Sequence, residues 1–433
     1  MRGADLVVAS LSKAGVKVVF SLSGNQIMPI YDACIDAGIR IIHTRHEGAA
    51  VYMAEAYAQL TGEIGVALVT AGPGFTSSLG PLFTARSAES PVLLLSGDSP
   101  RSGDGKGCFQ ELDQVAMSHA STKLSMRPEQ AENLGLDLAK AISTAVSGRP
   151  GPVHLALPVD LLTQEIGDIA PPDQAYFEPV AVMPDESMAD AIVALLASAK
   201  QPVILTGPAL NPTRAPHLKD LSRAMDAPVI SMESPRGLKD PSLGDFARVL
   251  GLADVILVLG KNIDHTTGFG QAPAMSDGCK FIVIDPDNEI LERARRALGA
   301  RLEAGHCVDA DATAQMLLQR AVNVESRTQW HRQVKQAIDF RSPAPALVEN
   351  QPMLPSELCF GIQTFLDKAD DPILIIDGGE FGQWAQACLS ANTRMINGPS
   401  GCIGGSICSV PKAPIAQQDS SMKSNDASTS GCP

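Results

Sequence analysis

The 433-residue sequence predicts an α/β protein made of successive doubly wound parallel-sheet domains. Three observations lead there. Short runs that are apolar at every position recur between helix-like segments, as strands covered on both faces require. Gly (37) and Pro (31) are plentiful while aromatic residues are only 4% of the chain, which suits tight turns between strands and helices. The length, at ~100 to 200 residues per domain, corresponds to two or three domains.

In chain order, the first 22 residues read as an amphipathic helix followed by a strand, without the unbroken apolar core or small-residue cleavage site of a signal peptide. Apolar runs at 16–20, 41–43, 66–69, 92–95 and 153–157 then alternate with helical patterns such as 48–60, giving a first domain over 1–168. A Pro-containing stretch of weak periodicity, 169–184, is expected to be a linker. A second series, 202–206, 228–230, 255–259 and 281–284, predicts a second α/β domain over 186–325. After another weakly periodic segment, 342–355, come a helix at 356–365, a strand at 372–377 and a Gly-rich stretch from 378 to 405. This third unit, 350–408, is too small to bury a core alone. Residues 409–433 are rich in Ser and Pro with almost no large apolar side chain, and are expected to be a disordered tail.

The formal charge of −14 gives no generic attraction to nucleic acid or an anionic membrane, so small molecules or other proteins are the expected partners. No apolar run reaches the ~18 residues of a membrane span. The nine cysteines are scattered, odd in number and without a CxxC pair, which reads as reduced thiols of a cytoplasmic protein and speaks against a structural zinc site.

Gly-rich turns follow several expected strands: Ser23-Gly24-Asn25, Ala71-Gly72-Pro73-Gly74, Ser96-Gly97-Asp98 and Asp377-Gly378-Gly379. In a parallel sheet such loops line the carboxyl edge, where ligands bind; they are equally read as ordinary strand-to-helix turns. None has the spacing of a Rossmann dinucleotide fingerprint or a P-loop. Arg45-His46-Glu47-Gly48-Ala49-Ala50 is sharper. It puts a carboxylate at a helix start, where the dipole favours an anion, with small residues keeping the adjoining space clear. A plain helix-capping acid beside an arginine is the alternative.

Taken together, residues 45–74 (RHEGAAVYMAEAYAQLTGEIGVALVTAGPG), FQELDQ from 109 with Lys123 beyond it, 151–161, 202–210, 253–260 and 396–406 (INGPSGCIGGS) resemble, in order, the thiamine-diphosphate-dependent decarboxylases and acetolactate synthases. The resemblance implies a pyrimidine-binding domain, a central Rossmann-like domain and a partial diphosphate-binding domain. It implies that Glu47 hydrogen-bonds the aminopyrimidine ring of thiamine diphosphate and favours the imino tautomer, whose nitrogen removes the thiazolium C2 proton. The resulting ylid would attack a 2-keto acid and hold its electrons as carbon dioxide leaves. Gly24, Gly72, Pro73 and Gly74 match loops beside that ring. Gln110 matches a cofactor-side position, Phe109 and Lys123 match the substrate side, and His46 is read as a helix-start residue. A central-domain nucleotide, FAD or ADP, is one option, with Arg236 and Asp285 as its possible contacts; an empty structural domain is the other. The substrate would be a 2-keto acid or an acyl-CoA, and the protein a homodimer or tetramer.

The chain departs from the resemblance in its third domain. There the family holds Mg²⁺ and the diphosphate with a Gly-Asp-Gly motif at a strand end and a later Asn, oxygen ligands suited to a hard cation. Neither follows Gly405. Gly103-Asp104-Gly105 with Asn133 mimics the spacing but lies in a polar loop of the first domain, so no metal ligand is assigned. Two outcomes stand open. One is a working decarboxylase or carboligase; the other is a C-terminally truncated, inactive member retaining only dimerisation or nucleotide binding, with apolar surface left uncovered.

Overall fold

The computed structural model describes residues 1–320, 326–341, 352–396 and 400–409. All but the first residue of the expected tail lies outside them, as do 342–351 and residues 397–399 of the INGPSGCIGGS stretch. The chain forms two compact units, Met1–Val180 with the described residues from Gly404 on, and Ala181–Ile403.

The first unit carries six parallel strands: β1 Val18–Ser21, β2 Arg40–His43, β3 Gly65–Val69, β4 Val92–Asp98, β5 Leu124–Met126 and β6 Val153–Pro158. They lie side by side in the order β2-β1-β3-β4-β6-β5. The direction of winding therefore reverses between β1 and β3, opening a crevice at their carboxyl ends. Strand side chains alternate between two buried layers. Val19, Leu68, Leu93 and Leu155 meet the helices Gly3–Lys13 and Leu134–Val146 on one face. Phe20, Ala67, Val69 and Leu94 meet the helix Glu47–Thr61 and Phe75 on the other.

Glu47–Thr61 sits close to the sheet because its facing residues are small: Ala50, Ala54 and Ala58 are fully buried. The approach is backbone to backbone. A Cβ on Gly65 would stand 1.9 Å from the Ala54 carbonyl oxygen. Residues Gly405–Ser409 pack on the outer side of the same helix, where a Cβ on Gly405 would meet the Tyr52 ring at 3.0 Å.

The second unit carries β7 Pro202–Thr206, β8 Val229–Ser231, β9 Val255–Leu259, β10 Lys280–Ile284 and β11 Leu302–His306, parallel and in the order β11-β10-β9-β7-β8. A separate parallel pair, β12 Ile373–Ile376 and β13 Thr393–Ile396, follows the helix Pro355–Leu366 and brackets the helix Gly379–Cys388. These helices leave Phe360, Phe365 and Phe381 at least half exposed. Arg327 ties the unit together: its buried guanidinium donates to the carbonyls of Leu196 and Ala199 at the end of the helix Glu186–Ser198, and to those of Met225 and Asp226 after Leu218–Ala224. Among the described residues no helix is long and apolar enough to cross a membrane.

Candidate functional site

The crevice at the carboxyl ends of β1, β3 and β4 collects most of the residues singled out in the sequence. His46 caps the helix that follows β2, its Nδ1 accepting from the Gly48 N–H at 3.0 Å, and leaves Glu47 as the first helical residue, half-buried. The Glu47 carboxylate lies over the turn after β3, with Oε1 3.4 Å from where a Cβ on Gly74 would be. Gly72 precedes the short helix Pro73–Thr76 and Pro73 is its first residue, a position that needs no N–H donor.

A neutral relay spans the crevice. Thr70 Oγ1 donates to Gln26 Oε1 at 2.5 Å, and Gln26 Nε2 donates to Gln110 Oε1 at 2.9 Å. Gly24 and Gly97 are the contact points that let it in: a Cβ on Gly24 would lie 2.4 Å from Thr70 Cβ, and one on Gly97 would lie 2.6 Å from Gln26 Cβ. Gln26 lies outside the quoted motifs and Thr70, though within 45–74, carries no assigned role there; their pairing is visible only once β1, β3 and the 109–111 loop are brought together. Gln110 has a left-handed backbone, φ +62°, and its Cβ would press on one added to Gly72 at 2.9 Å. Phe109 beside it is 77% exposed, an apolar group presented to whatever enters from solvent.

Beneath the crevice His154 is fully buried. Its Nε2 pairs with Ser96 Oγ at 2.8 Å, its Nδ1 faces the hydroxyls of Ser118 and Ser125 at 3.0 and 2.9 Å, and its ring lies 4.8 Å from that of Phe75. No charged side chain offsets the burial, which pushes the imidazole down to about 3 and keeps it neutral.

Other expected residues lie elsewhere. Lys123 precedes β5 at the opposite, amino edge of the sheet, where its ammonium donates to the carbonyls of Thr144 and Ser147 at the end of Leu134–Val146. Asp104 gives both carboxylate oxygens to Arg127, at 2.8 and 2.9 Å, and Asn133 Nδ2 donates to Gln130. Among the described residues no three His, Cys, Asp or Glu side chains are grouped to hold a metal ion.

In the second unit, Arg236 donates to the Gly379 carbonyl at 2.9 Å and the buried Asp285 accepts from the Asp287 N–H at 2.9 Å. At the reversal point of that sheet, between β7 and β9, two backbone turns approach closely: a Cβ on Gly207 would lie 2.1 Å from the Gly260 carbonyl oxygen.

The pyrimidine half of thiamine diphosphate is different. A carboxylate at a helix start, an adjoining turn stripped of side chains and a neutral relay of amides suit a flat, uncharged, hydrogen-bonding ring. Comparison with known proteins agrees with that geometry. Residues 1–117 match the thiamine pyrophosphate enzyme N-terminal TPP binding domain, and residues 189–315 match the central domain of the same enzymes. A probable acetolactate synthase of Mycobacterium bovis is 29% identical over 418 residues, covering 93% of this chain and 74% of its own. A 2-hydroxyacyl-CoA lyase 2 of Caenorhabditis elegans is 30% identical over 427 residues, covering 88% of this chain and 66% of its own. The acetolactate synthase isozyme 3 large subunit of Escherichia coli is 34% identical over 284 residues, covering 62% and 50%.

Proposed function

This chain belongs to the thiamine pyrophosphate enzymes, and on that premise we propose that it is a thiamine-diphosphate-dependent decarboxylase or carboligase of acetolactate-synthase type, acting on 2-keto acids. The observation that carries the reading is the Glu47 carboxylate held over Gly74 at the mouth of the crevice. Thiamine diphosphate, when bound, supplies a ring system that takes up the electron pair released as carbon dioxide leaves. The protein's own part is positional. With thiamine diphosphate bound, Glu47 would share a proton with a ring nitrogen of the aminopyrimidine. Gly72 and Gly74 keep the space above it clear of side chains, Pro73 fixes the start of the short helix, and the Gln26–Gln110 pair offers amide groups at the crevice wall. Phe109 offers an apolar face on the substrate side. Lys123, engaged at the opposite edge, has no part in this scheme.

The C. elegans relative favours a second reading, in which the same residues serve cleavage of a 2-hydroxyacyl-CoA. Turnover of pyruvate against that of a 2-hydroxyacyl-CoA separates the two. The proposal includes a cytoplasmic homodimer or tetramer, checked by light scattering. The test of the site itself is calorimetric titration of thiamine diphosphate, with and without Mg²⁺, into the wild type and Glu47→Gln. The wild type binds, and the variant binds at least tenfold more weakly. A folded wild-type chain that takes up no cofactor would sink the proposal and leave the inactive alternative.

A further inference from the structure

The second unit holds a cavity of about 600 Å³ that the reading above does not use, between the turn His265–Gly270 after β9 and the helix Asn288–Leu298. Neither Arg236 nor Asp285 lines it. From its charge, its one aromatic wall and the rigidity of its rim we infer that it binds a small organic anion bearing a planar ring, an aryl phosphate in chemical class.

Arg293 and Arg296 supply the charge, one turn apart on the same helix and both exposed. Among the described residues neither makes an ion pair or a hydrogen bond. Their neighbours are committed: Arg295 pairs with Glu292, and Arg301 donates to the carbonyls of Gly270 and Ser276 while lying over the Phe281 ring. The only carboxylate lining the cavity, Asp264, already accepts the N–H and the hydroxyl of Thr266 through Oδ1, at 2.9 and 2.5 Å. Two guanidiniums are thus left without an anion in a chain whose formal charge is −14. Their planar donor forks match a phosphate better than a point charge would.

The aromatic wall is Phe269, 58% exposed, with a left-handed backbone at φ +55°. That conformation is costly for a residue with a Cβ and persists only where the surroundings impose it. Here they do. The Phe269 N–H donates to the Asp264 carbonyl at 2.7 Å, Arg301 holds the next carbonyl at 2.7 Å, and Gln271 Nε2 donates to the Ala297 carbonyl of the facing helix at 2.6 Å. The ring is kept out of the core by a rim already fixed to the helix that carries the two arginines. A cavity of this size suits a compact ligand.

The test uses the full chain and three probes, phenyl phosphate, inorganic phosphate and phenol, followed by ligand-observed NMR in the wild type, Arg293→Gln/Arg296→Gln and Phe269→Ala. Because the arginines are exposed and unpaired, their replacement leaves the fold intact, which circular dichroism verifies. Phenyl phosphate binds more tightly than either fragment, weakens as salt is raised, and loses at least tenfold in affinity in the arginine variant. Phe269→Ala lowers phenyl phosphate to the level of inorganic phosphate and leaves the latter unchanged. Equal affinity in wild type and arginine variant, or no binding of phenyl phosphate at millimolar concentration, overturns the inference. Neither result bears on the Glu47 crevice, which the titration with thiamine diphosphate reads separately.

Discussion

Acidification should loosen the first unit through one residue, His154. Its imidazole is neutral in the folded chain because burial lowers it from 6.5 to about 3. In the unfolded chain it titrates at its ordinary value, so between pH 6.5 and 3 the unfolded state carries a proton that the folded state refuses. Stability therefore rises with pH across that window, is complete above it, and is lost as pH falls towards 3. Each pH unit inside the window is worth about 1.4 kcal/mol, so moving from pH 7 to pH 5 costs roughly 2 kcal/mol. The groups facing the ring are Ser96, Ser118, Ser125 and Phe75, none of which ionises in this range, so no neighbour titrates against it. His154→Gln keeps a hydrogen-bonding side chain and removes the titration. Both tryptophans, Trp330 and Trp384, lie in the second unit, so fluorescence would report on the wrong half. Amide exchange of peptides from β4 and β6, corrected for the intrinsic pH dependence, reads the first unit directly. Wild type should lose protection relative to the variant by about 2 kcal/mol between pH 7 and pH 5. Parallel losses in the two proteins would show that the imidazole is not held neutral and that the reasoning fails.

Gly74→Ala places a methyl 2.8 Å from Thr70 Cγ2 and 3.4 Å from Glu47 Oε1. Thiamine diphosphate affinity is expected to fall tenfold or more in calorimetry with the fold retained, and an unchanged affinity would detach Gly74 from the site. Gly65→Ala, whose methyl would lie 1.9 Å from the Ala54 carbonyl, should push the Glu47 helix off the sheet and destabilise the first unit by about 1–3 kcal/mol in amide exchange. Arg327→Met strips the carbonyls at two helix ends of their donor and should destabilise the second unit by about 3 kcal/mol, read as a lower urea midpoint by Trp330 fluorescence.

The strands legible in the sequence are those covered on both faces. β7 and β9 fall at the expected residues and the central strands β3, β4 and β6 start within one residue of them and end within three, because full burial demands an apolar run. The strands that escaped are β5, β11 and β13, with sequences LSM, LEAGH and TRMI. The first two lie at sheet edges and β13 in a two-stranded pair, where a covered face is incomplete and polar residues are tolerated. Glu47 was legible for a local reason, a carboxylate at a helix start followed by small residues. The partners of Arg236 and Asp285 were not legible: the loop residue Arg236 meets a carbonyl some 140 positions away and Asp285, at a strand end, an N–H two positions away.

The glycines of the crevice answer to three different requirements, and the difference bears on how such a site can be recognised. Gly24 has φ −167°, an extended conformation open to any residue; it must be glycine because Thr70 occupies the place of its side chain. Gly72 has φ +58°, where an L side chain is strained, and it also faces Gln110. Gly74 lies in a helix, where its backbone asks for nothing, and it is small because Thr70 and Glu47 converge above it. Only Gly72 follows a rule that could be read locally from a turn. The other two are required by Thr70, 46 positions from Gly24 and four from Gly74, with Glu47 in ordinary contact beyond Gly74. The AGPG turn therefore gains meaning from Glu47 and Thr70, and a chain keeping that turn while losing either partner would keep the motif without the crevice.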